Sequence, residues 1–320
     1  MRQIAPAVAS DDNAAATLAE YRREILDGLT AEQKRLSPKY LYDERGSQLF
    51  DEICALPEYY PTRTEVGLLR ANAAELAALT GPRAEIVELG AGSSLKARLL
   101  LDSLTEPDSY LPVDISAAYL SEQAAEIAFA YPRVAVHPVV ADFTRPFALP
   151  RRLARGRTLV FLPGSTIGNL SRVRAAALLA SIAERIGGAL LLGVDVCHDP
   201  VVLHAAYNDS RGVTAAFNLN LLARLNRELG ADFDLDGFEH SAVYDEENAR
   251  IEMRLVSRRA QVVGIAGAAI PFRAGEHIVS EHSHKYSPHE LTAMASAAGW
   301  RLCSSWVDDD GRFGVFFLRA

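Results

Sequence analysis

The sequence predicts an α/β protein built on a doubly wound parallel sheet, joined by a second, smaller α+β unit. Three observations carry that expectation. Short apolar runs alternate with helix-periodic segments between residues 64 and 199, the rhythm of parallel strands with helical crossovers. The first of these runs empties into a glycine-rich turn at Gly90-Ala91-Gly92. The rhythm breaks near residue 200 and resumes at residue 287 with a helix and a late antiparallel hairpin.

Taken in order, Met1–Ala15 is rich in Ala, Asp and Ser and is expected to fray at its start. Ala16–Leu29 places Leu18, Tyr21, Ile25 and Leu29 at helical spacing. Lys39–Asp51 reads as a loop leading into a short helix through Phe50. Leu56–Glu65 is bracketed by two prolines, which predicts an extended segment with Tyr59 and Tyr60 pointing opposite ways. One tyrosine then packs while the other is free to face a site. Thr64–Leu79 is expected as one helix.

The sheet begins at Glu85–Leu89, buried through Ile86, Val87 and Leu89. Past the glycine turn, Leu95, Leu99, Leu100 and Leu104 mark a helix. Tyr110–Ile115 is the second strand, Ala117–Ala130 a helix, and Val136–Phe143 a third strand. Arg157–Pro163 is the fourth strand and runs into Gly-Ser-Thr-Ile-Gly-Asn-Leu at 164–170. The helix Arg172–Arg185 and the fifth strand Ala189–Val196 complete the series. Beyond it, Ala205–Glu228 reads as one or two helices. Phe238–Tyr244, Arg250–Arg258, Ala260–Ile265 and Ile278–Ser283 read as strands. His289–Ala298 is a helix behind a Ser287-Pro288 cap, and Arg301–Val307 pairs with Gly314–Arg319.

Composition narrows the function. With 320 residues and 49% apolar content the chain can bury a substantial core. A formal net charge of −8 argues against nucleic acid or an anionic membrane as the main partner. No apolar run approaches the roughly 20 residues of a membrane span. The N-terminus lacks a basic stretch followed by an apolar one, so a cytoplasmic location is expected. Cys54, Cys197 and Cys303 are scattered without metal spacing and are expected as reduced thiols.

The chemistry-bearing residues gather at strand ends. Gly90 and Gly92 form Gly-x-Gly without a third glycine, since position 95 is Leu95. A turn at the carboxyl end of the first parallel strand is where such sheets take nucleotide-like ligands, although a plain strand–helix turn is the alternative. Asp114 ends the second strand, where a carboxylate suits a ribose diol. Asp142-Phe143 closes the third run and suits an adenine, the acid taking the exocyclic amine and the ring lying beside the base. For either acid alone the alternative is a helix cap. The loop at Gly164–Asn169 leaves the fourth strand at the same sheet edge. Glycine turn, acid, then Asp-Phe is the order seen in class I S-adenosylmethionine methyltransferases.

Longer motifs sharpen this. Tyr-Leu-Tyr-Asp at 40–43, Leu-Pro-Glu-Tyr-Tyr-Pro-Thr-Arg-Thr-Glu at 56–65 and the Gly164–Leu170 segment resemble the histidine-specific N-methyltransferase family of ergothioneine biosynthesis. Gly-Val-Thr-Ala-Ala-Phe-Asn at 212–218 and Ala-Asp-Phe-Asp-Leu at 231–235 resemble it too. The resemblance implies Nα-methylation of L-histidine to trimethylhistidine by three transfers from S-adenosylmethionine, leaving S-adenosylhomocysteine, with no metal. It implies cofactor contacts at Tyr42, Gly90, Gly92, Lys96, Asp114, Asp142 and Phe143. Tyr59 and Asn169 would act at the amine, with Gly164 beside the amino-acid backbone. Tyr207 would take the carboxylate, and Glu281 and Ser283 the imidazole, with Met253 in the pocket wall.

The domains implied are 64–199 with 287–320 for the cofactor and 1–63 with 200–286 for the substrate, in a cytoplasmic monomer. His282 and His284 flank Ser283 and are expected to be packed or solvated. Alternatives are an N-methyltransferase for tryptophan or tyrosine, a nicotinamide oxidoreductase, or a non-catalytic S-adenosylmethionine-binding module. Glu281 argues against the first and the missing third glycine against the second. The intact set of pocket residues argues against the third.

Overall fold

A computed structural model describes residues 11–150 and 157–320. What was expected of the first ten residues lies outside them. Helix α1 spans Asp11–Leu29, and a short 3-10 helix follows at Pro38–Leu41. Helix α2, Glu44–Cys54, is capped by the Asp43 carboxylate, which accepts the N–H of Gly46. Helices α3, Tyr60–Ala71, and α4, Ala73–Thr80, come next. The sequence predicted an extended stretch through Glu65, but the helix starts at Tyr60. Pro61 falls in its first turn, where a missing N–H costs nothing because first-turn amides have no intrahelical partner. The single helix expected over Thr64–Leu79 is divided at Asn72, whose side-chain amide donates to the Leu68 carbonyl.

The sheet then builds through β1 (Glu85–Leu89), α5 (Ser94–Ser103), β2 (Ser109–Asp114) and α6 (Ala117–Ala130). The third strand is two short pieces, β3 (Ala135–Val136) and β4 (Val139–Val140), each paired parallel to β2. Between them stands Pro138, which cannot donate to a ladder and disfavours helix before it. β5 (Thr158–Leu162), α7 (Arg172–Arg185) and β6 (Ala189–Asp195) follow as expected. After α8 (Pro200–Tyr207) and α9 (Val213–Leu229) come β7 (Phe238–Asp245), β8 (Arg250–Ser257), β9 (Gln261–Ile265), β10 (Ala268–Phe272) and β11 (His277–His284). The chain closes with α10 (Pro288–Ala297), β12 (Arg301–Val307) and β13 (Phe313–Arg319).

Among the described residues the main sheet runs β12-β13-β6-β5-β1-β2-β3, with β4 also on β2. β2, β1, β5 and β6 are mutually parallel, while β13 is antiparallel to β6 and to β12. This is the fold of class I S-adenosylmethionine methyltransferases, with the late hairpin the sequence predicted. Strand order reverses between β1 and β5, which opens a crevice at their carboxyl ends. One face of the sheet buries Val87, Leu89, Val160 and Leu192; the other buries Ile86, Leu159, Phe161 and Leu191. A third apolar cluster joins α1, α2, α8 and α9 to the three-stranded sheet β11-β8-β7 and to the β9–β10 hairpin. The crevice lies where this cluster meets the main sheet.

Candidate active site

A cavity of ≈ 520 Å³ occupies the crevice. The turn after β1, the end of β2, the segment after β4 and the loop after β5 form one side. Ser37–Lys39, Tyr42, residues of α2, Tyr59, Tyr207 and β11 form the other. Thirteen of the fourteen residues expected at the site line this one space. They are Tyr42, Tyr59, Gly90, Gly92, Lys96, Asp114, Asp142, Phe143, Gly164, Asn169, Tyr207, Glu281 and Ser283. Met253 does not line it. It is buried at 2% exposure on β8, directly across the strand pair from Glu281.

At the sheet end, Gly90 has φ of 75° and its N–H donates to the Val113 carbonyl at 2.9 Å, tying the turn to β2. Asp114 uses Oδ1 to accept the Ser116 N–H at 2.8 Å, which leaves Oδ2 for a ligand. Burial raises its pKa to about 6, against the lowering effect of the Ser116 and Ile115 amides. Asp142 spends Oδ1 on the backbone and hydroxyl of Thr144, at 3.0 and 2.5 Å. Its Oδ2 stays 3.8 Å from Lys39 and 3.7 Å from Arg145. Both acids therefore fix a local turn with Oδ1, while Oδ2 of Asp142 is held only by two long ion pairs, to Lys39 and Arg145. Two carboxylates, the Phe143 ring and a cation at Lys96 lining one cavity fit a nucleoside carrying an amino-acid tail.

The loop after β5 is held from beneath. Gly164 has φ of 71° and Ser165 has φ of 59°, the second unusual for a residue with a side chain. The Gly164 N–H donates to both Glu65 oxygens, at 3.1 and 3.0 Å. Glu65 is fully buried and pairs with Lys96 at 2.5 Å. Burial alone would lower the Lys96 pKa, but the Glu65 carboxylate outweighs it and the net shift is upward. The Ser165 hydroxyl accepts the Asp195 N–H at 3.0 Å, which offsets part of the backbone strain. The 3-10 helix Thr166–Asn169 then carries the Asn169 amide into the cavity.

At the opposite end, Glu281 and Ser283 share the cavity face of β11, as period-2 alternation requires. Glu281 is 8% exposed, and burial raises its carboxyl pKa to about 7 although Lys285 acts to lower it. Tyr207 reaches from the end of α8 and its hydroxyl lies 2.8 Å from Ser283 Oγ. Tyr59 and Tyr60 divide the roles as expected, although a helix start and not an extended run separates them. Tyr59 faces the cavity, while Tyr60 turns inward and donates to Asp195 at 2.6 Å. Tyr42, Phe50, Tyr59 and Tyr207 make an aromatic wall with successive centroids 5.6, 6.2 and 6.3 Å apart. His282 contacts Glu252 at 3.0 Å and His284 is buried at 7% exposure; neither lines the cavity.

Several contributors escaped the sequence reading. Glu88 lines the cavity, accepts from Tyr110 at 2.6 Å and has its pKa raised by burial to about 7. A carboxylate between Val87 and Leu89, inside a strand buried along its whole length, was its visible signal. Phe50 and Cys54 face inward from α2. Glu65, Asp195 and Lys285 support the site from behind. Lys285 continues the alternation of Glu281 and Ser283 by one more step, which was the signal available for it.

A model of the family described as histidine-specific methyltransferase, SAM-dependent, matches residues 21–320. The histidine N-alpha-methyltransferase of Mycolicibacterium smegmatis is 44% identical over 311 residues, covering 95% of this chain and 95% of that protein. The protein of the same name from Mycobacterium tuberculosis is 43% identical over 303 residues, covering 92% and 93%. Ergothioneine biosynthesis protein 1 of Neurospora crassa is 33% identical over 285 residues, which is 86% of this chain and 32% of the fungal protein.

Proposed function

The chain belongs to the histidine-specific, S-adenosylmethionine-dependent methyltransferases, and from that premise we infer that it methylates the α-amine of L-histidine in this cavity. Three successive transfers would give trimethylhistidine (hercynine) for ergothioneine biosynthesis. One observation supports the reading most. A buried carboxylate, two hydroxyls and an amide converge at one end of a cavity whose other end offers ribose and adenine partners.

S-adenosylmethionine supplies an electrophilic methyl group when bound. Asp114 and Asp142-Phe143 would hold its nucleoside and Lys96 its carboxylate, with Gly90, Gly92 and Tyr42 shaping the walls. The chain's own task is alignment. The nucleophile is the neutral α-amine, whose reference pKa is about 8, so part of it is deprotonated near neutral pH. Asn169 and the Gly164 backbone orient that amine, and Tyr59 stands beside it to pass a proton to water. Tyr207 takes the carboxylate, and Glu281 and Ser283 take the ring nitrogens. Fixing a near-attack geometry contributes up to several kcal/mol without a strong base.

In this reading residues 64–199 and 287–320 hold the cofactor, residues 1–63 and 200–286 hold the amino acid, and the enzyme is a cytoplasmic monomer. No helix among the described residues is long and apolar enough to cross a membrane. The decisive experiment is mass spectrometry of histidine incubated with enzyme and methyl-labelled S-adenosylmethionine. Products with one, two and three added methyl groups are expected. Methylated tryptophan or tyrosine in place of histidine would overturn the substrate, and product stopping at one methyl would overturn the repeated transfer.

A further inference from the structure

Lys285 is fully buried and its ammonium has three partners. It lies 2.7 Å from Asp195 Oδ2, 3.0 Å from Ser283 Oγ and 3.1 Å from the Tyr207 hydroxyl. Three N–H donors are thereby used on three acceptors. Asp195, 1% exposed, is held from its far side, where Oδ1 accepts from Tyr60 at 2.6 Å and from the Cys197 N–H at 3.0 Å. The ion pair is thus oriented, with its negative end tied into the protein and its positive end against two hydroxyls that line the cavity.

That orientation matters because of where the other cations stand. Lys39, Lys96, Arg145 and Arg174 line the cavity, and none comes from α8, β11 or the Tyr59 segment. Lys39 is paired with Glu24, Lys96 with Glu65 and Arg145 with Glu20. A ligand carboxylate beside Tyr207 therefore has no side-chain cation in direct reach from those elements. Burying a carboxylate without a charge partner is costly. A hydroxyl that accepts from an ammonium becomes a stronger donor, and the charge behind it is weakly screened in a buried site.

We propose that Lys285 is the positioning residue that supplies positive charge to the amino-acid end of the site, acting on the substrate carboxylate through the Tyr207 hydroxyl. This rests on the assignment of that end to an amino acid. Its electrostatic content is separable from a role in folding, because it predicts discrimination by carboxylate charge.

The experiment compares histidine with histidinamide, which lacks the carboxylate, in wild type, Lys285→Met and Asp195→Asn/Lys285→Met. The double variant removes both charges, so it leaves no unpaired buried ion should the single variant fold poorly. The expected result is that the ratio of kcat/KM for histidine over histidinamide falls by about tenfold or more in the variants, through KM for histidine. S-adenosylmethionine affinity, read by calorimetry, stays at the wild-type value. Equal losses for both substrates, with the ratio unchanged, would make Lys285 merely structural and overturn the proposal. If wild type methylates another amino acid, the histidine assignment falls. The same ratio, taken with that amino acid and its amide, then decides for or against Lys285.

Discussion

The side-chain amide of Asn169 lies 3.4 Å from Oε2 of Glu281, a weak hydrogen bond at the limit of useful length. It joins the group assigned to the α-amine with the group assigned to the imidazole, and both face the same cavity. A bond this long is readily exchanged for shorter ones to a ligand. Histidine carries donors for Glu281 at its ring and for the Asn169 oxygen at its amine, so binding replaces one poor contact with two better ones.

Specificity follows from the Glu281 carboxylate. Removing it leaves the imidazole N–H without an acceptor in a buried site, which a hydrogen-bonding pocket penalises strongly. Glu281→Ala is expected to lower kcat/KM for histidine by about 2–4 kcal/mol, while tryptophan and phenylalanine gain relative to it. Met253→Val added to it has a smaller effect, because Met253 stands beside Glu281 across the strand pair without lining the cavity. Kinetics with the three amino acids check this, and an unchanged ranking would remove Glu281 as the imidazole reader.

How much of this was legible in sequence depends on the range of the interaction. Gly90, Asp114 and Asp142-Phe143 stand at strand ends, and strand ends share one sheet edge in any doubly wound fold. Glu281 and Ser283 were placed together by alternation within one strand. The support beneath them was not readable. Glu65 meets Gly164 across 99 positions and Lys285 meets Asp195 across 90, contacts no local period encodes. The helix start at Tyr60 was misread for a different reason: proline forbids helix behind it but is tolerated in a first turn.

Cofactor affinity should depend on pH through Asp114. Its carboxyl is raised from 3.8 to about 6 by burial, so protonation sets in as pH falls through that value. A protonated acid loses acceptor capacity toward a ribose diol, so S-adenosylhomocysteine affinity is expected to fall below about pH 6. The effect on stability has the opposite sense. A folded-state pKa above the unfolded one means the native state binds more protons. This group therefore favours folding at low pH and disfavours it as pH rises from 3.8 through about 6. Asp114→Ala should weaken S-adenosylhomocysteine by about 1.5–3 kcal/mol and abolish that pH dependence of binding. Titration calorimetry at pH values spanning the transition reads both, and a variant that binds like wild type would remove Asp114 from the cofactor site.

The two ends of the cavity should be separable by mutation at Tyr207. Its hydroxyl belongs to α8 and bonds Ser283 and Lys285, not the residues after β1, β2 or β4. Tyr207→Phe is expected to raise KM for histidine by about tenfold, the cost of one charge-assisted hydrogen bond, with cofactor affinity unchanged. If cofactor affinity fell equally, residues 200–286 would not form a substrate unit.

A final prediction concerns Gly193, which stands in the middle of β6 with no ligand near it by sequence logic. The Glu65 carboxylate lies directly over its backbone, in the space where a Cβ would project. The demand for glycine here is therefore steric; Gly193 is absent from the residues with positive φ. Gly193→Ala must push Glu65 aside, and Glu65 is what holds the Gly164 N–H and the Lys96 ammonium. The expected loss of stability is about 3 kcal/mol, combining overpacking with a broken buried pair whose lysine keeps 15% exposure. Activity should fall further than stability, because the displaced loop carries Asn169. Glu65→Ala alone should produce a similar loss by leaving Lys96 uncompensated. The double variant is the informative one: with the carboxylate gone, the alanine methyl at position 193 has room. Its cost should be close to that of Glu65→Ala alone, well short of the sum of the two single changes. Denaturant melts of the four proteins measure this cycle, and additive losses would show that Gly193 and Glu65 act independently.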